Sequence, residues 1–426
     1  MHGSSLASIA SIVSVAATAK ATETAARNSY GRLVAILSAR SHDVAWAEDA
    51  LSTAFESALL HWPQSGIPAK PEAWLLTVAR RAMIDGARQR QTQAAALPDL
   101  LLLSDELMEE MDSAESVTIP DQRLALMFAC AHPAIDTSMR APLILQTILG
   151  LDAAAIASAF LVSPATMAQR LVRAKAKIRD SGIPLLIPDQ SVIGERLDAI
   201  TDAIYAIYTA GWADTISTEG KRPNLADEAI WLADLLAALK PDEAESLGLL
   251  ALMLYTESRR PARRDASGDY VPLAQQDTSL WDGKLIHVAE KILRRASALQ
   301  QAGRYQLEAA IQSAHVARRI SGQTDWPAIV RLYAQLMRIT DSPVVAINHA
   351  IAVAETAGPQ AALRILPTVQ AQPRLQNYQA YWAARAYLLK SAGEWAQARQ
   401  AYDVAIGLEP DAAVRRFLQK QRASLD

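Results

Sequence analysis

The stretch LDAAAIASAFLVSPATMAQRLVRAKAKIR, residues 151–179, decides the fold because it contains two helical patterns separated by a short break. Asp152 can cap a first short helix, and Ser163 followed by Pro164 forms an N-cap and first-turn pair for a second helix. Along the second helix, apolar residues recur at intervals of three and four positions: Met167, Leu171, Ala174 and Ile178. The stretch therefore predicts a helix, a tight turn and a second helix whose apolar stripe faces the core.

A polar and basic face lies beside this apolar stripe. From Ser163 to Asp180 there are five basic residues against one acid, on a chain whose formal net charge is −3. In a helix-turn-helix, the N-terminal half of the second helix reads base edges, and later basic residues contact phosphates. We assign base reading to Ser163, Thr166, Gln169 and Arg170, and backbone contact to Arg173, Lys175 and Lys177. A solvated amphipathic helix would carry a similar charged face, so the residues alone leave both interpretations open.

A second basic segment lies on the helix predicted from Pro71 to about Arg90. Trp74 lies upstream on this helix, and the cations that follow it are Arg80, Arg81, Arg88 and Arg90. Basic side chains beside an aromatic ring suit phosphate contact and stacking on single-stranded bases. A solvated helix end would also favour arginine through the helix dipole, so this segment has two interpretations as well.

The composition indicates helices and gives no support for catalysis. The chain has 426 residues, enough for two or three domains, and its 17 Gly and 20 Pro are too few for a turn-rich β protein. The one cysteine, Cys130, excludes an intramolecular disulfide and a Cys-based zinc site. The seven histidines show no metal-ligand spacing, and no Gly-rich phosphate loop or nucleophile elbow occurs. We therefore expect an all-α protein that is not an enzyme and that holds neither a cofactor nor a metal.

The sequence also bears on location. No run approaches the roughly 20 apolar residues needed to span a bilayer. The nearest, Leu6 to Ala19, has no Lys or Arg before it, so a secretory signal would lack its basic front end. A single cysteine fits a reducing compartment. We expect a cytoplasmic protein without a membrane partner.

Changes in composition divide the chain into segments. Residues 91–122 contain eight acids and no Lys or Arg, which is typical of a linker or a loosely docked helix. Gly182, Pro184 and Pro188 end the second helical block. The predicted divisions are an N-terminal extension (1–27), a first helical domain (28–92), an acidic linker (93–122), a helix-turn-helix domain (123–185) and a helical extension (186–426).

The helical extension shows internal repetition near its end. Small and large residues around Gly393 follow the spacing of a tetratricopeptide hairpin, and Gly358 opens a similar pattern 35 positions upstream. Small residues at this spacing let two antiparallel helices approach closely, while large ones fill the gap to the next hairpin. An ordinary Ala-rich helical bundle is the alternative interpretation.

Three stretches together resemble the extracytoplasmic-function (ECF) sigma factors, the smallest bacterial specificity subunits of RNA polymerase. They are AEDALSTAF at 47–55, PEAWLLTVARRAMIDGARQR at 71–90, and the helix-turn-helix stretch at 151–179. The resemblance covers residues 28 to 185 and implies a region-two helical domain followed by a region-four helix-turn-helix domain. The stretch AINHAIAVAE at 346–355 is similar to one in the subgroup that carries a large tetratricopeptide-like extension.

The resemblance also implies roles for particular residues. Glu48, Asp49 and Phe55 fall where the family docks on the polymerase. Residues on the promoter-facing helix are expected to contact the downstream promoter element: Trp74, Arg80, Arg81 and Arg88. The helix beginning at Ser163 is expected to read the upstream element. The implied partners are core RNA polymerase, promoter DNA and a protein or small-molecule signal at the helical repeats, through which the extension would regulate activity.

Two other hypotheses stay open, and the first of them rests on a departure from the family pattern. Ser52 and Thr53 stand where the family usually has a Gln followed by an acid. A repeat scaffold or effector-sensing protein with a degenerate sigma-like half is therefore one alternative. A helix-turn-helix regulator that acts without polymerase is the other.

Overall fold

The computed structural model describes residues 29–90, 122–160, 162–188, 193–213, 225–367 and 373–425. Within these ranges the chain is helical without β-strands, apart from one isolated bridge between Arg264 and Tyr270, so the all-α expectation is confirmed. The predicted N-terminal extension and almost all of the acidic linker lie outside the described residues. The chain divides into two compact units, Met1–Leu232 and Ala233–Asp426.

The first unit is built from helices that we number in chain order along the described residues. They are α1 (29–41), α2 (Val44–Ser65), α3 (Pro71–Arg90), α4 (Arg123–Cys130), α5 (Thr137–Leu149), α6 (Ala153–Ala159), α7 (Pro164–Asp180), α8 (Ile193–Ala213) and the start of α9 (Leu225–Leu239). Helix α8 packs on α4 and α5. The compact unit thus continues past residue 186, where the sequence places the start of the extension; the predicted domain boundaries themselves stay predictions.

Helix α2 continues to Ser65 with Pro63 inside it, although proline usually breaks a helix interior. The helix ends at Gly66, whose N–H still donates to the carbonyl of Trp62 and whose φ of 86° turns the following chain away from the helix. Trp62 is buried and meets the ring of Trp74 edge-on, with the centroids 5.4 Å apart. This contact packs the last turn of α2 against the start of α3, which explains why the helix tolerates the proline.

The two helices predicted within 151–179 are present, as α6 and α7. Asp152 Oδ1 accepts the N–H of Ala155 at 2.7 Å, and Ser163 Oγ accepts the N–H of Thr166 at 3.2 Å. Pro164 occupies the first turn of α7. The predicted apolar stripe is buried: Met167, Leu171, Ala174 and Ile178.

The second unit contains the rest of α9 and the remaining helices. These are α10 (Ala244–Glu257), α11 (Gly283–Ala298), α12 (Arg304–Val316), α13 (Arg318–Ser321), α14 (Trp326–Ile339), α15 (Pro343–Ala357), α16 (Pro359–Ile365), α17 (Gln379–Ser391), α18 (Trp395–Leu408) and α19 (Ala412–Ala423). Gly358 and Gly393 separate α15 from α16 and α17 from α18, with φ of 85° and 82°. Both glycines therefore occupy a backbone region that other residues rarely adopt.

Helix α19 is tied back to the loop that follows α10. Asp269 accepts hydrogen bonds from Arg416 and Lys420, and Arg264 Nη2 lies 2.7 Å from Asp411 Oδ2. These ion pairs join residues about 150 positions apart in the chain. Along the part of the chain that the structure describes, no helix is both long enough and apolar enough to cross a membrane.

Candidate functional site

The exposed face of α7 carries most of the residues predicted to contact DNA. Ser163, Gln169, Arg170, Arg173 and Lys177 are exposed, and Thr166 is half-buried. Arg170, Arg173 and Lys177 line a groove of about 510 Å³, whose other wall is the N-terminal turn of α5. The cations therefore form one continuous surface along α7. A phosphate backbone would meet three positive charges there.

One acid lies on the wall opposite these cations. Asp136 caps α5, and its carboxylate accepts hydrogen bonds from the Ser138 side chain and N–H. These bonds, and then the charges of Arg140 and Arg170, lower the pKa of Asp136. Asp136 is thus a carboxylate near the basic face, and a polyanion entering the groove would be repelled by it.

Lys175 does not share the exposed face, contrary to its predicted role in phosphate contact. Its Nζ lies 2.5 Å from Oε2 of Glu48, and the two side chains are 10% and 11% exposed. Glu48 was itself predicted to contact the polymerase. Lys175 lies four positions after the buried Leu171, at the edge of the apolar stripe, so α2 covers it. In this structure the ion pair prevents both Lys175 and Glu48 from contacting an external partner.

The predicted promoter-facing helix α3 presents its cations unequally. Arg80 is only 4% exposed, whereas Arg81 is exposed. Arg80 lies between the buried Leu76 and Ile84 at intervals of four residues, so helix periodicity directs it inward. Arg80 was predicted to contact the downstream promoter element, but in this structure its side chain is buried and is not presented to DNA.

The ring of Trp74 on α3 is partly covered by its packing against a neighbouring side chain. Trp74 is half-buried and contacts Trp62, so only part of its ring is available for stacking on a base. The side chain of Arg88 lies outside the described residues. Among the described side chains of α3, Arg81 and the uncovered part of Trp74 are positioned to contact a nucleic acid.

Helix α2 has an exposed face that the sequence analysis only partly found. Asp49 is exposed and Phe55 is half-buried, while the apolar Leu59 and Leu60 are 48% and 69% exposed. Leu59 lies four positions after Phe55, on the same side of the helix. Exposed apolar side chains grouped in this way are typical of a protein-binding surface. The spacing from Phe55 was the signal that could have identified Leu59.

The second unit contains a cavity of about 790 Å³ among α12, α15, α17 and α19. Its lining is mainly aromatic and apolar with a few charged groups, and includes Arg259, His315, Arg318, Trp326, Tyr333 and Tyr402. Volumes of this size and lining are typical of small-molecule sites. Among the described residues, no group of three or more His, Cys, Asp or Glu side chains could hold a metal ion.

The stability of the folded chain should depend on pH through His315, which lines the cavity. Burial, and then the positive charges of Arg259 and Arg318, lower the pKa of His315 to about 4. The unfolded chain, with a histidine pKa near 6.5, takes up the proton first as the pH falls. The stabilisation of the folded chain that comes from the neutral, buried His315 is therefore complete above about pH 6.5 and is lost as the pH falls toward 4. The free energy of unfolding should decrease by about 2 kcal/mol between pH 7 and about pH 5.

Urea unfolding of the full chain at these two pH values, followed by tryptophan fluorescence, measures this effect. In a His315→Phe variant, which retains a ring against Trp326, the loss between the two pH values should be smaller by that amount. An equal loss in both proteins would show that His315 is already protonated or solvated near neutral pH.

Comparison with known proteins identifies the family. A protein of Rhizobium meliloti (strain 1021), described as uncharacterized, is 40% identical over 381 residues, which cover 88% of this chain and 89% of the relative. This chain belongs to that protein's family. In this family member, residues 26–93 match the model of sigma-70 region 2, and residues 196–297 match a family of unknown function, DUF6596. No solved structure matches the chain.

The region 2 match covers α1, α2 and α3, the helices that carry Glu48, Asp49, Phe55 and Trp74. The chain thus has a sigma-70 region 2 domain at its N-terminal end, followed by a helical DUF6596 region. Region 2 implies binding to RNA polymerase and a sigma-factor-like, non-enzymatic role in transcription.

Proposed function

We propose that this protein is an ECF-type sigma factor that directs promoter-specific initiation and is regulated by its C-terminal helical extension. The region 2 match over residues 26–93 is the observation that carries this proposal. It is supported by the exposed basic face of α7, which is the second of two successive capped helices in the first unit.

Polymerase contact is assigned to the outward face of α2. Asp49 supplies an exposed negative charge, and Phe55 and Leu59, six and ten positions further along α2, supply apolar area. An apolar centre with a polar rim is typical of protein–protein interfaces. Glu48 belongs to this surface only when it is released from Lys175.

Promoter contact is assigned to two surfaces. The α7 face, from Ser163 to Lys177, would read the upstream element as a region-four-like recognition helix. Arg81, Trp74 and Arg88 on α3 would contact the downstream element, with Trp74 stacking on an unpaired base. The exposure of Arg170, Arg173 and Lys177 on one side of α7 supports the first assignment.

The second unit is assigned the regulatory role. Glycine turns 35 positions apart between paired helices support a tetratricopeptide-like repeat. The 790 Å³ cavity is the place where a small-molecule signal would bind.

Retention of the full-length chain by purified core RNA polymerase tests the proposal. Asp49→Arg should weaken binding by about tenfold or more, because it reverses a charge at the proposed contact. Asp234→Arg, the same charge change on an exposed position of α9 in the second unit, should bind like the wild type.

The assay should include Lys175→Glu, which removes the pairing partner of Glu48 and so exposes more of α2. If neither the wild type nor Lys175→Glu binds core polymerase, the sigma-factor proposal is wrong. DNA binding without polymerase binding would then favour a regulator that acts alone. Loss of both activities would favour the repeat scaffold.

A further inference from the structure

Two ion pairs join α7 to the N-terminal part of α2 across a long stretch of sequence. Lys175 and Glu48 are 127 positions apart, and their side-chain atoms lie 2.5 Å from each other. Arg179, one turn further along α7, lies 3.5 Å from Asp43, the N-cap of α2. Both carboxylates belong to the region 2 match and both cations to the helix-turn-helix. The pairs thus connect the two halves of the first unit.

A second contact brings the same two halves together independently of charge. A Cβ built on Gly31 of α1 would overlap the carbonyl oxygen of Ile148 and lie 2.8 Å from its Cα, so α1 approaches α5 more closely than any side chain allows. The adjacent Tyr30 packs over Gly150, which ends α5. The two halves are therefore closed on each other at two places.

The Glu48–Lys175 pair is electrostatically incomplete. Oε1 of Glu48 is buried and has no hydrogen-bond partner among the described residues. Burial raises the pKa of Glu48 more than Lys175 lowers it, and the neighbouring Asp49 and Asp43 raise it further. A buried ion pair with an unsatisfied oxygen loses much of its attraction to desolvation. The pair thus fixes the geometry of the contact but contributes less to its stability than the short distance suggests.

Release of this pair would change both surfaces at once. Lys175 would become an exposed cation on the side of α7 roughly opposite Arg173 and Lys177, and Glu48 would join Asp49 on α2. A closed first unit presents fewer cations to a phosphate backbone and less negative charge to a protein partner than an open one.

We propose that Glu48 and Lys175 form a releasable latch that holds the α1–α3 half of the first unit against the α4–α8 half. In the closed state the latch hides one residue of each proposed binding surface. Its effect on transcription rests on the proposed function, but the latch itself is a property of this chain alone.

Spin labels on the full-length chain test the latch directly. Glu56→Cys on α2 and Val172→Cys on α7 are exposed labelling positions, one on each half. Cys130 is fully buried, and burial raises the pKa of its thiol to about 12, so labelling near neutral pH leaves it unmodified. Pulsed electron paramagnetic resonance then gives the distribution of distances between the halves.

Four chains separate the latch from ordinary packing. Lys175→Glu places two carboxylates together and should shift the distribution to longer distances. The charge swap Glu48→Lys/Lys175→Glu should restore the wild-type distribution. Glu48→Met/Lys175→Met should narrow it, because an apolar pair of similar length avoids the desolvation penalty. Lys177→Glu, an exposed charge reversal on the same helix, should leave it unchanged.

A wild-type distribution in Lys175→Glu, or a swap that fails to restore closure, would overturn the latch. Circular dichroism of each chain shows whether the helices remain folded. The distances involve no polymerase, so failure of the sigma-factor proposal and failure of the latch give different results.

Discussion

Replacing Arg170, Arg173 and Lys177 together with alanine should weaken binding to duplex promoter DNA by about 100-fold or more near 50 mM salt. The three side chains are exposed on one side of α7 and line one groove, so a single phosphate backbone can meet all of them. Each phosphate contact contributes about 0.9 to the slope of log affinity against log salt concentration, so the slope should fall by about 2.7. Fluorescence anisotropy at about 50 to 200 mM salt measures both quantities.

The control removes three cations elsewhere. Lys284, Lys291 and Arg294 are exposed on α11 in the second unit. Their replacement with alanine lowers the net charge equally but should leave the salt slope near that of the wild type. If the α7 variant and the α11 variant behave alike, α7 is a solvated helix and the DNA assignment fails.

Gly31→Ala should destabilise the first unit by about 3 kcal/mol, which corresponds to a fall in melting temperature of about 6 to 12 °C. The added methyl group would overlap backbone atoms of Ile148, which cannot rotate away as a side chain can. Either α1 moves away from α5 or the turn at Gly150 is distorted, and both outcomes lose buried contacts. Thermal unfolding followed by circular dichroism measures the change.

Gly194→Ala is the matched control, because Gly194 lies in α8 with open space where a Cβ would be. Alanine in a helix is favoured over glycine by about 1 kcal/mol, so this variant should be as stable as the wild type or slightly more stable. An unchanged melting temperature in Gly31→Ala would mean that the close approach of α1 to α5 does not exist in solution.

Local structure could be predicted from the sequence because its causes are local. Ser163 and Pro164 fix the start of α7, and the three-and-four spacing from Met167 to Ile178 fixes its buried side. The same reasoning applied to α3 would have placed Arg80 inside, since Leu76 and Ile84 flank it at intervals of four. A count of the charges on α3 does not show which of them this spacing directs inward.

The position of Lys175 could not be predicted in this way. Its spacing puts it at the border of the buried stripe, where either solvent or a neighbouring helix can meet it. The decisive partner, Glu48, is 127 positions away and was itself assigned to an external surface. Pairings of this kind depend on how distant helices dock, which no local pattern contains. The same holds for the approach of Gly31 to α5.

The ion pairs between α19 and the loop after α10 have a consequence for how the second unit folds. In an open repeat stack each repeat contacts only its neighbours, so the last helix can fray while the rest stays intact. In this structure Asp269 pairs with Arg416 and Lys420, and the ring of Tyr270 packs against Phe417. Helix α19 therefore contacts the loop that follows α10, near the start of the second unit. Closure of this kind makes the unit cooperative, because fraying at α19 also releases the loop near residue 269. It also requires contacts between distant parts of the chain, which slows folding relative to a stack that grows from one end.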